Sequence, residues 1–443
     1  MILPLINISR YAFFCSEQVE LLPNNHYHSK GLELRGRILD RNNRVLASSE
    51  GCERVYPFGE CFEPVLGYAN LQYDEDGLEK VLSDRLQGYP VPRNPWQAYL
   101  ILNKRNRNGD DIVTSLDVDI QREAYNALRG YRGAAVVLDV NTGELLALAS
   151  RPAYDPNYSS LKANWESLSK DDESPLFNRP LQGLYPPGST FKVLVMAGAL
   201  EDRLISVNEI FDCNGSMTIG DYELNCHGSV HGRINLLESL AYSCNVTFAN
   251  LGQRLHMSGL RRWISCFRLD ENFKYVPLAS EMHVPEDSNL AAEAVTAIGQ
   301  ADTMVSPLHM ARLAATIARG GEDIEPTLIL RQLRGNKVVW RGDKDRKRHK
   351  VVSSVTAAAV ARAMRLTVTG GTASACNGGT YSMAGKTGSA ENPQGDTHAW
   401  FIGYAPVDNP RLAVAVILEN AGGGGKHAAP VAKEIIENTL PIY

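Results

Sequence analysis

A proline-rich approach leads directly into an apolar helix in the segment Tyr185-Pro186-Pro187-Gly188-Ser189-Thr190-Phe191-Lys192. The two prolines and the glycine stop any preceding helix, and residues 191–200 are apolar on nearly every side. A helix that is apolar all round is typically buried, so this one is predicted to lie at the centre of a domain. We therefore expect Ser189 to begin a buried helix, with free backbone N–H groups and the positive end of the helix dipole around its hydroxyl.

Lys192 lies three residues after Ser189, and this spacing places both side chains on one face of a helix. In a dry pocket an ammonium group loses solvation, its pKa falls, and the neutral amine can deprotonate a nearby hydroxyl. The alternative is that Ser189 only caps the helix and that Lys192 extends to the surface. The pattern alone is weak, because Ser167 and Lys170 repeat it.

A second motif, Ser243-Cys244-Asn245, lies between an amphipathic stretch and a further helical run. A serine and an asparagine two positions apart at a helix junction can point into one cleft. Ser243 would then pass protons between Lys192 and a leaving amine, while Asn245 would hold Lys192 or the substrate backbone. Helix capping is the competing interpretation, and Ser206-Val207-Asn208 repeats the pattern.

The third motif, Lys386-Thr387-Gly388-Ser389, is predicted to form an edge strand. Gly388 removes a side chain where a substrate backbone would lie close, and the hydroxyls of Thr387 and Ser389 face the same side of the strand. Lys386 would supply positive charge for a substrate carboxylate. The backbone N–H groups of Ser189 and Ser389 are the candidate oxyanion hole.

Composition excludes several classes of function. The chain of 443 residues has 44% hydrophobic and 21% charged residues, which is ordinary for a globular protein of two domains. A net charge of −5 does not favour nucleic-acid binding. No apolar run of about 18 residues exists to span a membrane, and Pro4 interrupts the apolar opening at Met1 too early for a signal peptide or an anchor. One basic cluster has no interleaved aromatic residues and is predicted to be a solvated loop: Lys344, Arg346, Lys347, Arg348 and Lys350.

Local patterns predict an α+β fold, with an antiparallel sheet flanked by helices. A helix capped at Asp117 precedes two strands, residues 134–140 and 144–149, joined by the turn Asn141-Thr142-Gly143. Strands over 398–404 and 411–418 and a closing helix over 429–439 complete the plan. Residues before about 115 are rich in turns and short strands, including a hairpin from Arg35 to Ala47. We therefore predict an N-terminal domain over 1–115 and a second domain over 116–443.

The ordered set of three motifs resembles that of penicillin-binding proteins and serine β-lactamases. Three further segments are similar to class B penicillin-binding proteins: Phe177-Asn178-Arg179-Pro180; Gly299-Gln300 with Ser306-Pro307-Leu308; and His398-Ala399-Trp400-Phe401-Ile402-Gly403-Tyr404-Ala405-Pro406. Arg35-Gly36 with Asp40-Arg41-Asn42 resembles the start of the non-catalytic pedestal of that class. The resemblance implies an elongated, β-rich pedestal before a transpeptidase domain that contains an all-helical subdomain.

The function that this resemblance implies is D,D-transpeptidation of peptidoglycan outside the cytoplasmic membrane. Ser189 would attack the penultimate D-Ala carbonyl of a stem peptide, and an amine from a neighbouring stem would resolve the acyl-enzyme. β-Lactams would acylate the same serine, and no cofactor would be needed. Such proteins commonly work beside a multi-pass membrane glycosyltransferase, in elongation, division or sporulation, and are anchored to the cytoplasmic membrane in their full native form.

Three alternatives share these motifs. A class A serine β-lactamase carries a glutamate in an E-x-x-L-N loop between the second and third motifs, and no such sequence lies between Asn245 and Lys386. A D,D-carboxypeptidase differs only in its acceptor. A catalytically inactive cell-wall scaffold is the third, and the intact motifs argue against it.

Four potential metal ligands lie between Lys192 and Asn245: Cys213, Cys226, His231 and Cys244. Thiolates and imidazole suit tetrahedral zinc, and some elongation-type relatives bind zinc in this region. His227 is a rival for the histidine position, and a Cys213–Cys226 disulfide, which suits an oxidising compartment, is the competing interpretation. The other five of the eight cysteines show no pattern. The sequence therefore leaves a structural zinc, a disulfide and neither as open alternatives.

Overall fold

The computed structural model describes residues 32, 34–87, 108–226, 230–285, 289–300, 302–342, 346, 348–392 and 395–443. The apolar opening of the chain, Cys15, His227, Lys344 and Lys347 lie outside these residues. Within the described ranges, no helix has both the length and the apolar character needed to cross a membrane.

The strands are numbered in chain order. They are β1 (Ile38–Leu39), β2 (Val45–Glu50), β3 (Glu53–Val55), β4 (Ala69–Asn70), β5 (Asp74–Glu75), β6 (Asp111–Thr114), β7 (Gly133–Asp139), β8 (Leu145–Arg151), β9 (Ile210–Cys213), β10 (Ser216–Ile219), β11 (Tyr222–Asn225), β12 (Gly232–Asn235), β13 (Glu322–Ile324), β14 (Ile329–Arg334), β15 (Lys337–Arg341), β16 (Arg348–Lys350), β17 (Ala384–Ala390), β18 (His398–Ala405) and β19 (Leu412–Leu418).

The helices follow the same convention. They are α1 (Gly77–Val81), α2 (Ser83–Leu86), α3 (Val118–Ala127), α4 (Tyr158–Lys170), α5 (Arg179–Gln182), α6 (Lys192–Glu201), α7 (Leu236–Ala241), α8 (Asn245–Cys266), α9 (Leu290–Ala297), α10 (Pro307–Ala318), α11 (Ser354–Thr369) and α12 (Ala428–Thr439). Short 3₁₀ turns occur at Gly59–Phe62, Gly188–Thr190 and Ser374–Cys376.

The chain divides into two compact units. The first contains its described residues up to Thr114 together with 154–171 and 329–342, and the second contains Ser115–Ala153, Asp172–Leu328 and the described residues from 346 to Tyr443. The segments 154–171 and 329–342 fall inside the range predicted for the second domain but group with the first unit. The roles of the two predicted domains stay a prediction.

The first unit is built on a six-stranded sheet in the order β15-β14-β6-β1-β2-β3. The predicted hairpin is confirmed by the antiparallel pairing of β1 with β2. Its turn is closed by the carboxylate of Asp40, which accepts hydrogen bonds from the backbone N–H groups of Asn42 and Arg44, both at 2.8 Å. Asn43 adopts a positive φ of 65°, a conformation that asparagine tolerates better than most residues.

The second unit is built on a five-stranded antiparallel sheet in the order β17-β18-β19-β7-β8. Strands β7 and β19 are buried along their whole length, which explains why their sequences are continuous apolar runs rather than alternating ones. Helix α10 packs on β7, β18 and β19, and α12 packs on β18, β19 and α3. The predicted α+β fold is confirmed, because helices flank an antiparallel sheet with β17 at its edge.

The local predictions for this unit are also confirmed. Asp117 caps α3 by accepting from the backbone N–H groups of Asp119 and Ile120. β7 and β8 form the predicted hairpin, and Gly143 in its turn has a φ of +73°. The two late strands pair as β18 and β19, and the closing helix is α12.

Candidate active site

The turn that carries Ser189 is tighter than the sequence predicted. Ser189 belongs to the 3₁₀ turn Gly188–Thr190, and α6 begins only at Lys192. The Thr190 hydroxyl donates to the Pro187 carbonyl at 2.6 Å, and the Phe191 N–H donates to the Gly188 carbonyl at 3.1 Å. Side chains three residues apart eclipse in a 3₁₀ turn, so the predicted alignment of Ser189 with Lys192 is favoured by this geometry.

Gly188 is required at the start of this turn. Its φ is +52°, and a methyl group at this position would lie 3.0 Å from the carbonyl oxygen of Ser389 on β17. Its N–H donates to the carbonyl of Gly299 at 2.8 Å. The turn is thereby held between the edge strand and the segment that follows α9.

Lys192 is fully buried, as the apolar character of α6 predicted. Its Nζ donates to the Ser243 carbonyl at 2.8 Å and to Asn245 Oδ1 at 2.6 Å, and lies 3.3 Å from Ser243 Oγ. Burial lowers the pKa of Lys192 to about 7 from an ordinary value of 10.5, although the electrostatic effect of Cys244 and Cys226 acts in the opposite direction. A substantial fraction of neutral amine is therefore present at physiological pH.

The second motif occupies the junction between α7 and α8. Ser243 has a φ of +62°, which is unusual for a residue with a side chain. With this backbone, both its carbonyl oxygen and its hydroxyl reach Lys192. The strained conformation is thus tied to the contacts that unite the first two motifs.

Both polar atoms of the Asn245 side-chain amide are hydrogen-bonded. Its Oδ1 accepts from Lys192, and its Nδ2 donates to the Asn225 carbonyl on β11 at 2.7 Å. The residue is 5% exposed, so neither bond competes freely with solvent. The amide is therefore a rigid partner for the lysine.

The third motif lies on β17, which pairs only with β18 in the five-stranded sheet and is therefore its edge strand, as predicted. Lys386 is fully buried, and its Nζ donates to Ser243 Oγ at 3.0 Å and to the Thr387 carbonyl at 2.8 Å. Burial, and then repulsion by Lys192, hold the pKa of Lys386 well below its ordinary value. Ser243 therefore lies between two lysines, one from each of the other motifs.

Gly388 brings the edge strand against the turn Gly188–Thr190, which carries Ser189. A methyl group at Gly388 would lie 3.0 Å from the Pro187 carbonyl oxygen and 3.1 Å from Cγ2 of Thr190. The backbone of residues 388–389 is thus adjacent to the backbone of residues 187–188. This proximity is what an oxyanion hole built from the N–H groups of Ser189 and Ser389 requires.

The hydroxyls of the third motif have partners outside the predicted set. Thr387 Oγ1 lies 2.6 Å from Thr372 Oγ1, and Ser389 Oγ accepts from the Gly424 N–H at 3.3 Å. Thr372 lies in the loop after α11, and Gly424 lies in the glycine-rich loop before α12. Neither was singled out from the sequence, since no motif or spacing marks them.

A buried ionic cluster supports the approach to Ser189. Glu419 accepts from Arg179 Nε at 2.8 Å, from the Tyr185 hydroxyl at 2.7 Å and from Arg132 Nε. Burial acts to raise the pKa of Glu419, but Arg179, Tyr185 and Arg132 outweigh it and hold that pKa below its ordinary value. Trp400 adds a hydrogen bond from Nε1 to the Pro186 carbonyl at 2.9 Å. The Phe177–Pro180 resemblance hinted at Arg179, but nothing in the sequence pointed to Glu419.

The four predicted metal ligands come together. Their donor atoms all lie within 4.8 Å of one another. Cys213 Sγ is 3.6 Å from Cys226 Sγ and 3.4 Å from His231 Nδ1, and Cys226 Sγ is 3.8 Å from Cys244 Sγ. A disulfide needs about 2.05 Å between sulfurs, so Cys213 and Cys226 are separate thiols here.

These distances fit a zinc ion. A tetrahedron with Zn–S bonds of about 2.3 Å has sulfur–sulfur edges of about 3.8 Å, close to the spacings observed. Cys226 Sγ also accepts from the Asn245 N–H at 3.1 Å. Hydrogen bonds from Cys244 and from the backbone N–H groups of Val246 and Asn245 lower the pKa of the Cys226 thiol, although burial acts in the opposite direction. Cys226 is therefore predisposed to the thiolate form that a zinc ligand needs, whereas the hydrogen bond to Cys226, and then burial, raise the pKa of the Cys244 thiol.

The two chance repeats of the motifs lie elsewhere. Ser167 and Lys170 are on α4 in the first unit, where Lys170 Nζ pairs with Glu166 at 2.7 Å on the exposed surface. Ser206-Val207-Asn208 forms part of a loop before β9. Neither repeat takes part in the hydrogen bonds that join Lys192, Ser243 and Lys386.

Comparisons with known proteins identify the family of this chain. The penicillin-binding protein transpeptidase domain model matches residues 133–437. The peptidoglycan D,D-transpeptidase PbpA of Mycobacterium tuberculosis is 32% identical over 424 residues, covering 87% of this chain and 84% of PbpA. The chain therefore belongs to the penicillin-binding protein transpeptidase family, and the predicted resemblance to class B members is confirmed.

Solved structures of penicillin-binding proteins share the fold of this chain. Penicillin-binding protein A from M. tuberculosis, as a ceftriaxone acyl-enzyme complex, aligns with a TM-score of 0.83 at 29% identity, over 93% of this chain and 100% of that chain. Pseudomonas aeruginosa PBP2 aligns with a TM-score of 0.78 at 28% identity, over 92% and 96%.

Proposed function

We propose that this protein is a serine-type peptidoglycan D,D-transpeptidase that β-lactams acylate. The observation that carries the proposal is the buried set of contacts around Ser243, where Lys192 and Lys386 meet one hydroxyl. A lysine with a pKa near 7, three residues after a half-buried serine, is suited to general-base catalysis.

In the acylation step, Ser189 Oγ attacks the carbonyl carbon of the penultimate D-Ala while the neutral amine of Lys192 accepts the hydroxyl proton. The backbone N–H groups of Ser189 and Ser389 stabilise the oxyanion. The C–N bond then breaks, and the leaving nitrogen of the terminal D-Ala takes a proton from Lys192 through the hydroxyl of Ser243. Ser189 ends as an ester of the donor peptide, and D-Ala is released.

Deacylation reverses these roles. The amine of a second stem peptide attacks the ester carbonyl and gives up a proton through Ser243 and Lys192, and Ser189 leaves with a proton restored. Asn245 keeps Lys192 in place during both steps. Thr387, Ser389 and the charge of Lys386 bind the donor's terminal carboxylate, and Gly388 leaves room for its backbone.

Labelling with fluorescent penicillin tests the nucleophile. Wild type should be labelled once per chain on the peptide that contains Ser189, and Ser189→Ala should not be labelled. Ser167→Ala, in the chance S-x-x-K sequence, is the matched control and should label normally. A folded protein that does not label at Ser189 would instead support the inactive scaffold.

Two assays separate the remaining alternatives. Nitrocefin should give one stoichiometric burst, whereas sustained turnover would indicate a serine β-lactamase. A donor ending in D-Ala-D-Ala should give a cross-linked product when an amine acceptor is added. Release of D-Ala with hydrolysis alone under all acceptor conditions would indicate a D,D-carboxypeptidase.

We also propose that Cys213, Cys226, His231 and Cys244 hold a structural zinc ion. The donor spacing and the chemistry of three thiols with one imidazole support this ligand set. The ion would supply no chemistry to acyl transfer. It would fix the strands and loop that support Asn245, through the Asn245 N–H bond to Cys226 and the Nδ2 bond to Asn225. Protein purified without chelators should contain one equivalent of zinc, and its absence in elemental analysis would remove the proposal.

The remaining proposals concern the cellular setting. The predicted N-terminal domain, residues 1–115, would act as the pedestal, and the transpeptidase domain, residues 116–443, would act on peptidoglycan outside the cytoplasmic membrane. A multi-pass membrane glycosyltransferase is the proposed partner, and a membrane anchor is proposed for the full native protein. Co-purification from detergent-solubilised membranes, with cross-linking, would test both.

A further inference from the structure

We infer that Thr372 is a positioning residue that prepares Thr387 to bind the carboxylate of the acyl donor. The inference rests on the proposed function, because it names a second component of the same donor site. Its basis is the distance of 2.6 Å between the two Oγ1 atoms, which is a short hydrogen bond between hydroxyls.

The two threonines differ in their access to solvent. Thr387 is 5% exposed, and within the described part of the chain its hydroxyl has no hydrogen-bond partner other than Thr372. Thr372 is exposed. The buried hydroxyl of the third motif is therefore oriented by one exposed side chain from a different element.

The loop that carries Thr372 is held by its backbone. The Thr372 N–H donates to the Ala241 carbonyl at 3.1 Å, and the Ala373 N–H donates to the Thr367 carbonyl at 3.0 Å. Ala241 ends α7, two residues before Ser243. A methyl group at Gly425 would lie 2.3 Å from the Thr372 carbonyl oxygen, so the glycine-rich loop also packs on this backbone. Removing the Thr372 hydroxyl should leave the loop in place.

The chemistry of two hydroxyls gives the direction of the effect. A hydroxyl has one hydrogen to donate and two lone pairs to accept with. If Thr372 donates to Thr387, the hydrogen of Thr387 is left for the substrate anion, and the chain of two hydrogen bonds polarises that hydrogen further. Without Thr372, the Thr387 hydroxyl is free to rotate towards a backbone carbonyl. Thr372 thus acts on carboxylate binding through Thr387 and does not act on the bond-making atoms.

Stopped-flow acylation by benzylpenicillin separates binding from chemistry. Thr372→Val should weaken the pre-acylation binding constant by about 3- to 10-fold, the range expected for one ordering hydrogen bond, with little change in the limiting acylation rate. Thr372→Ser should restore binding. Thr369→Val is the matched control, because Thr369 is exposed near the end of α11 and its hydroxyl bonds to the Arg365 carbonyl.

Two further measurements distinguish positioning from a structural role. With benzylpenicillin methyl ester, which lacks the carboxylate, Thr372→Val should behave as wild type. In a Thr387→Val background, Thr372→Val should add no further loss, because the hydroxyl that it orients has been removed. The thermal midpoint of Thr372→Val should match that of Thr369→Val.

Each result has one meaning. An equal loss with the ester, an additive double variant, or unchanged binding of benzylpenicillin would overturn the inference while leaving the proposed function intact. Failure of wild type to be acylated at Ser189 would overturn the proposed function, and the inference with it. If Thr372→Val did not fold, the serine variant and Thr372→Ala would carry the same comparison.

Discussion

Lys192 is the residue on which the proposed chemistry of this site depends. It reaches the second motif through three contacts, with the backbone and hydroxyl of Ser243 and the amide of Asn245. Complete burial without a carboxylate partner is costly for an ammonium group, and the group responds by a lowered pKa rather than by pairing. In the proposed mechanism, this neutral amine serves as the base for Ser189 in place of a histidine or a carboxylate.

The rate of acylation should depend on pH through this lysine. The neutral amine is the active form, and burial lowers the pKa of Lys192 to about 7, so the second-order rate with benzylpenicillin should rise about tenfold per pH unit below that value and level off above it. Stopped-flow measurements from about pH 5 to about pH 9 check this, with circular dichroism to show that the protein stays folded.

Lys192→Arg provides the decisive comparison, because a guanidinium does not deprotonate in this range. The variant should lose about 100- to 10,000-fold in rate and should lose the rising limb of the profile. Lys170→Arg, in the chance repeat on α4, should keep both. A wild-type rate that is flat with pH would rule out a lysine base.

At the scale of elements, the turn that carries Ser189 is held by three sets of contacts. Gly299 accepts the Gly188 N–H, β17 packs against residues 187–188, and Trp400 on β18 donates to the Pro186 carbonyl. None of these contacts touches the Ser189 hydroxyl. They determine where that hydroxyl lies relative to Lys192 and the edge strand.

Removing the indole hydrogen bond should therefore affect rate more than fold. Trp400→Phe leaves the partly buried Pro186 carbonyl without its partner, so it should cost about 1 kcal/mol of unfolding free energy and slow acylation about tenfold. Trp263→Phe is the matched control, because Trp263, near the end of α8, donates from Nε1 to Asp202 at 2.9 Å and makes no hydrogen bond to the turn that carries Ser189. Urea unfolding and penicillin acylation measure the two effects. A slower rate in the control as well would point to general destabilisation.

Gly299 should tolerate no side chain. Its φ is +77°, and a methyl group would lie 2.0 Å from the Gly188 carbonyl oxygen. Gly299→Ala should displace the turn that carries Ser189 and reduce the rate of acylation at least about 100-fold. Gly130→Ala, at a φ of +83° with no described atom beyond its chain neighbours within 4 Å of the added methyl group, carries only the backbone strain and should lose about 1 kcal/mol of stability with normal acylation. Equal effects of the two substitutions would contradict the role of the clash.

These elements show which features could be predicted from sequence. The hairpin at Asn141-Thr142-Gly143, the buried helix after Ser189 and the edge strand at Lys386 depend on local patterns of apolar residues and turns, and each was predicted. The left-handed Ser243, the Thr372 contact and the Glu419 cluster depend on partners far away in the chain. A periodic pattern contains no information about such partners. Helix α6 begins at Lys192 rather than at Ser189 for a similar reason, because the conformation of Gly188 depends on Ser389 and Gly299.

At the scale of the molecule, one cluster of cysteines joins the loop of β9–β12 to the start of α8. Cys226 accepts the Asn245 N–H while it lies beside Cys213 and Cys244. Binding of a metal to the folded state alone stabilises it by about 2.7 kcal/mol at 100 times its dissociation constant. The unfolding of the whole protein is therefore expected to report occupancy of this cluster.

A zinc chelator should lower the thermal midpoint of wild type by about 3–10 °C, and added zinc should restore it. Cys226→Ser should start lower and no longer respond. Cys266→Ser, at an exposed thiol on α8, should respond as wild type does. Differential scanning calorimetry measures the shift, and an unchanged wild-type midpoint on chelation would contradict a stabilising ion.

Because Lys192 and Lys386 both contact the hydroxyl of Ser243, their protonation should also affect the free energy of ligand binding. Each ammonium disfavours charge on the other, so the resting cleft carries fewer protons than two ordinary lysines would. A carboxylate that settles beside them favours the charged forms and draws protons from solution. The heat of antibiotic binding, measured by titration calorimetry, should accordingly vary with the ionisation enthalpy of the buffer.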